Sequence, residues 1–84
     1  LSTDLPQLEV LIADNNELEF LPEDIGDLRH LKLLIVSNNR LTNLPESMKQ
    51  LHQLRTLILL GNAIPLTVIE DLQRALPECN IIYK

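Results

Sequence analysis

The chain has 84 residues, room for one small domain, with 45% apolar residues, 23% charged residues and a net charge of −5 at pH 7. That balance excludes intrinsic disorder, and no apolar run comes near the roughly 20 residues that a membrane-spanning helix needs. Twenty leucines and 8 isoleucines stand against one Phe, one Tyr and no Trp, which excludes an aromatic core and the aromatic platforms on which nucleic-acid modules stack bases.

The elements recur with a period of 23 residues: Leu8, Leu31 and Leu54, then Leu11, Leu34 and Leu57, then Asn16, Asn39 and Asn62, then Leu18, Leu41 and Ile64. In chain order, residues 1–7 read as the tail of a preceding repeat, because Leu5 is the register mate of Leu28 and Leu51. Residues 8–30 and 31–53 are two full repeats, and 54–66 is a last, partial one. Within each, a short strand is predicted where Leu11 and Ala13, Leu34 and Val36, and Leu57 and Leu59 occupy alternate positions and so share a face. Stacking such strands makes a parallel sheet with rungs about 4.8 Å apart. The asparagines fall where the chain turns out of the strand. Leu21-Pro22 and Leu44-Pro45 then open an extended or short helical return, with Ile25, Leu28, Met48 and Leu51 facing inward. After Ile64-Pro65 the pattern breaks. Thr67 and Glu70 have the spacing of a capping box, predicting a helix over 67–76 with Val68, Ile69, Leu72, Ala75 and Leu76 on its apolar face. Glu70 and Asp71 at its start and Arg74 near its end suit the helix dipole, Pro77 stops it, and Ile81, Ile82 and Tyr83 read as a final strand. Residues 67–84 thus form a cap within the same domain.

The unit L-x-x-L-x-A/V/L-x-x-N-x-L-x-x-L-P-x-x-I/M-x-x-L-x-x resembles the leucine-rich repeat signature in its 23-residue form with an internal Leu-Pro. The resemblance covers nearly the whole chain, and Leu76-Pro77-Glu78-Cys79-Asn80-Ile81 resembles the terminal cap of some bacterial members. It implies an α/β solenoid with short parallel strands on a concave face, an irregular or short helical convex side and a C-terminal capping helix. It also implies that Asn16, Asn39 and Asn62 form a buried ladder whose amides bond backbone groups of neighbouring turns. Because the chain starts in mid-repeat without a capping element, it reads as the C-terminal end of a longer array, or as a fragment whose open edge something else covers.

In strands of this family the inward leucines alternate with concave-face residues. Here those are Val10, Ile12 and Asp14, then Leu33, Ile35 and Ser37, then Thr56, Ile58 and Leu60. Three isoleucines stack in one column, and an aliphatic stripe departs from the polar or mixed concave faces usual in the family. Such a stripe suits a protein-binding face, with Asp14, Ser37, Asn15 and Asn38 as its polar margin. Two plainer readings are that β-branched residues simply suit strands, or that other parts of the intact protein cover the stripe. The leading expectation is a non-catalytic module binding another protein. The alternatives are a recognition segment of a larger enzyme or receptor of kinase, GTPase-linked or ubiquitin-ligase type, and self-association through the uncapped first rung.

Charge is uneven. Residues 1–27 carry eight acids and no base, and residues 28–84 carry four acids and seven bases. An acidic first third can steer a basic partner or merely solvate a surface, and it lacks the basic footprint that nucleic acid needs. Chemistry has few carriers. His30 and His52 precede successive repeats without a third repeating ligand, so no metal is expected. Cys79 reads as a buried structural thiol, and Gly26 and Gly61 cannot build a phosphate loop, so no cofactor or catalytic residue is assigned. The lack of disulfide-capped ends favours an intracellular setting, with a bacterial cell surface as the alternative.

Overall fold

Three strands of three residues each, Val10–Ile12 (β1), Leu33–Ile35 (β2) and Thr56–Ile58 (β3), recur at the 23-residue step. A ten-residue helix, Leu66–Ala75 (α1), and a fourth strand, Asn80–Ile82 (β4), follow. This computed structural model describes residues 7–84, so the expected repeat tail lies, except for Gln7, outside the described residues. All four strands pair in parallel in the order β1-β2-β3-β4. The register joins Leu11, Leu34, Leu57 and Ile81, and Leu34, Leu57 and Ile81 are buried beneath the sheet.

The convex returns are 3₁₀ helices, Glu23–Asp27 and Glu46–Gln50, preceded by Pro22 and Pro45 with φ of −69° and −68°. Their tight winding follows from the spacing of the apolar residues. Ile25, Leu28 and Leu31 recur every third residue, as do Met48, Leu51 and Leu54, and three residues per turn puts each set on one face. All six are 0–1% exposed. Backbone bonds follow the same step, with Leu28 N donating to Ile25 O at 3.1 Å and Leu31 N to Leu28 O at 3.0 Å. Gly26 is buried where the next return crosses it: a Cβ there would stand 2.6 Å from Ser47 Cβ. Leucines from the strands and from the returns therefore close one core between the two faces, as stacked repeats require.

The asparagine positions are unequal. Asn39 is 6% exposed; its amide donates to Ala13 O, Val36 O and Ser37 O, and its Oδ1 accepts from Asn16 N and Leu18 N. Half-buried Asn62 does the same work one rung on, donating to Val36 O and Leu59 O and accepting from Leu41 N. Asn16 departs from the expected buried ladder. It is exposed, and its amide bonds only the Asp14 carbonyl of its own turn among the described residues, with no described rung stacked on its outer side.

The cap corrects three expectations. The helix runs 66–75 rather than 67–76, and the residue before it is Pro65, extended at φ −59° and ψ 143°. Proline has no side-chain acceptor, and Thr67 lies inside the first turn, so no capping box forms. Glu70 and Asp71 accordingly sit in mid-helix, leaving Arg74 as the residue placed to complement the dipole. The last strand is Asn80–Ile82 rather than 81–83, because pairing runs from Asn80 N on Arg55 O (2.8 Å) to Leu59 N on Ile82 O (2.7 Å). The cap thus extends the sheet by one strand while Ile69, Leu72, Leu76 and Cys79 seal the end of the core.

Candidate functional site

Pairing in register turns the alternation of each strand into columns on the concave face. The middle column is Ile12, Ile35, Ile58 and Ile82. Its fourth member is a residue that the 23-residue step does not reach, because β4 pairs with β3 at a separation of 24 residues. Ile12 is exposed, and Ile35, Ile58 and Ile82 are half-buried by their neighbours. A second column holds Val10, Leu33, Thr56 and Asn80, exposed at its two ends and half-buried between. The two columns together form a largely aliphatic floor, with Thr56 and Asn80 as its polar members.

The third column, Asp14, Ser37 and Leu60, differs from what was expected of it. Leu60 is exposed and Asp14 half-buried, but Ser37 is buried. Backbone pairing continues past the strand ends, from Asn15 N to Ser37 O (3.0 Å) and from Asn38 N to Leu60 O (2.7 Å), so the middle rung lies between two others. Asp14 Oδ1 accepts from Ser37 N at 2.8 Å. That carboxylate ties two rungs together, and Ser37 is withdrawn from the surface.

Asn15 and Asn38 carry φ of 58° and 57°, and their register mate Gly61 carries 75°. Every repeat thus turns out of its strand through a left-handed residue, which asparagine and glycine tolerate best.

Charges line both ends of the strands. Lys32 pairs with Glu9 (3.5 Å) and Arg55 with Glu78 (3.8 Å) ahead of them, and Arg40 pairs with Glu17 (2.6 Å) beyond. All three pairs are exposed and contribute little to stability. They leave the aliphatic floor bordered by ion-paired, polar ground.

Two features escaped the periodicity. Phe20 is 76% exposed and Leu66 is 51% exposed, at the same unit position as Asn43. The legible signal was that the chain's one Phe occupies a position which the next repeat fills with a polar residue. The other is a hollow of about 190 Å³ lined by His52, Arg55 and Cys79, groups distant in sequence. Burial pushes the Cys79 thiol up, the nearby Arg55 charge opposing only in part, so the thiol stays protonated rather than becoming an activated nucleophile. Among the described residues no three His, Cys, Asp or Glu side chains gather into a metal-binding group. No helix among them is long and apolar enough to cross a membrane.

The model of the leucine rich repeat family matches residues 3–64. A solved leucine-rich repeat protein of Leptospira interrogans superposes with a TM-score of 0.88 at 38% identity. The match covers 99% of this chain and 22% of the Leptospira chain, so the chain spans about a fifth of that protein's length. No curated protein sequence matches. With its repeat ladder, parallel sheet and family match in agreement, this chain belongs to the leucine-rich repeat family.

Proposed function

We propose that the chain is a non-catalytic module that takes a protein partner on its concave sheet. Leucine-rich repeats generally mediate protein–protein contacts, and the observation that carries the reading here is the unbroken column Ile12–Ile35–Ile58–Ile82. A rigid parallel sheet holds these side chains in fixed rows, so little conformational entropy is lost when a partner covers them. Val10, Leu33, Thr56 and Leu60 widen the floor, and Asp14 with the strand-end ion pairs supplies the margin.

The test is affinity capture with mass spectrometry, comparing wild type with Ile35→Asp/Ile58→Asp. Two carboxylates in mid-floor cost the apolar contact and cannot be paired by an apolar partner, so capture should be abolished while circular dichroism stays native. Undiminished capture by the folded double variant refutes the concave-face assignment. A second reading draws on the small share of the Leptospira protein that the chain spans: the same face would then act as the recognition segment of a longer protein, and the substitution should disable that protein's recruitment step rather than its chemistry.

A further inference from the structure

We infer that the lateral edge around Phe20 is a second docking surface, separate from the concave sheet, for a cationic protein segment bearing an apolar anchor. A hollow of about 320 Å³ opens there, lined by Phe20, Leu21, Pro22, Leu44 and Pro45 with Glu23 and Asn43. Its volume falls at the lower end of the range for ligand pockets, roughly 300–1,000 Å³. Two successive Leu-Pro steps form its walls. The prolines hold φ at −69° and −68°, and Ser47 Oγ donates to Glu23 O at 2.5 Å across the rungs, so the hollow is pre-organised.

Phe20 contributes little to the fold, because it is 76% exposed while the core closes without it. Its equivalent in the next repeat, Asn43, uses its side chain locally, accepting from Leu44 N at 2.9 Å.

Charge selects the occupant. Of the acids in the first third, Glu9 and Glu17 are paired with Lys32 and Arg40, and Asp14 is engaged by Ser37. Glu19 and Glu23, which flank Phe20, make no ion pair among the described residues. A second copy of this chain docked on the same edge would set these carboxylates against their own equivalents, and an anionic lipid surface would be repelled likewise. A lysine- or arginine-bearing segment that inserts an aliphatic or aromatic side chain beside Phe20 satisfies both the hollow and its rim.

The experiment titrates the isotopically labelled chain with a synthetic amphipathic peptide of leucine and lysine, followed by NMR. The controls are the same peptide with glutamate for lysine and vesicles rich in phosphatidylserine. Amide shifts are expected at Glu19–Leu21, Glu23, Asn43 and Leu44, with no binding of the glutamate peptide or the vesicles. Phe20→Ala should weaken binding about tenfold, the loss expected for an aromatic anchor. Glu19→Gln/Glu23→Gln should weaken it and flatten its salt dependence. All three residues are exposed, so these variants retain the fold. Shifts confined to the strands, wild-type affinity in Phe20→Ala, equal binding of the glutamate peptide, or uptake by vesicles without peptide binding would each overturn the inference. The Ile35→Asp/Ile58→Asp chain should bind the peptide normally, which keeps this surface distinguishable from the concave one.

Discussion

Asn39 shows what a single polar side chain does inside an apolar stack. Each turn out of a strand leaves carbonyls and amide protons that no regular ladder satisfies. One buried carboxamide answers five of them, on its own rung and the one before, with donor–acceptor distances of 2.9–3.2 Å. Removing it leaves several buried groups without partners, each costing about 1–3 kcal/mol. Because relaxation recovers part of that loss, Asn39→Ala should destabilise the chain by about 3 kcal/mol in urea unfolding. Asn16→Ala, which gives up one bond at the surface, should cost about 1 kcal/mol or less. Equal losses would show that the ladder does not depend on burial. The spacing of the asparagines is plain in the sequence. Their inequality is not, since it depends on which rungs have neighbours on both sides.

At the scale of elements, the cap is held by a clamp as well as by its apolar face. Lys49, from the second 3₁₀ return, pairs with Asp71 of α1 at 2.7 Å and with Glu46 at 3.0 Å. Hydrogen bonding to Asp71, then to Glu46, raises the Lys49 amine, and Lys49 holds the Asp71 carboxyl below the usual carboxylate range. A lowered carboxyl contributes stability above its ordinary value of 3.8 and loses it as pH falls through the lowered value. A raised amine contributes below its ordinary 10.5 and loses it as pH rises through the raised value. Lys49→Met should therefore lower the melting temperature most between these limits. Wild type should approach the variant in strong acid and strong alkali, and high salt should narrow the difference. Both side chains are half-buried but remain open to solvent, which screens the pair and keeps its effect small; a difference independent of pH would show that Lys49 acts by packing alone. Neither partner could be matched from the sequence, because the clamp joins a return to a helix more than 20 residues later. The capping-box reading failed for a related reason: Thr67 and Glu70 have the right spacing, but the helix is capped two residues before Thr67, at Pro65.

Across the whole molecule, burial rises from the first rung inward. Leu34, Leu57 and Leu31 are fully buried, whereas Leu8, Leu11, Ala13 and Leu18 are only partly buried against the core. A solenoid's stability is a sum over rungs and the interfaces between them. Leu34 is packed from both sides and Leu11 from one, so equal truncations should have unequal costs. Leu34→Ala should lose about 3–4 kcal/mol and Leu11→Ala about half of that, measured by chemical denaturation. If the two were equal, the first rung would have to be covered as fully as the second. The charges follow the same axis: eight acids crowd the first 27 residues, and the two beside Phe20 give that edge its preference for a cationic partner.

The sequence by itself determined the repeat, the strand-turn-return order within it and the inward leucines, because a period of 23 with alternation inside it admits one way of hiding the apolar residues. Of the nine concave positions it marked, the structure leaves eight at least partly accessible. The tertiary structure decided what depends on neighbours distant along the chain. It withdrew Ser37, brought Ile82 into the isoleucine column, drew His52 and Cys79 to one hollow and left Phe20 on the outside. A periodic pattern specifies which side of a rung each residue faces. Only the stacked rungs determine how deeply it is covered and what stands beside it.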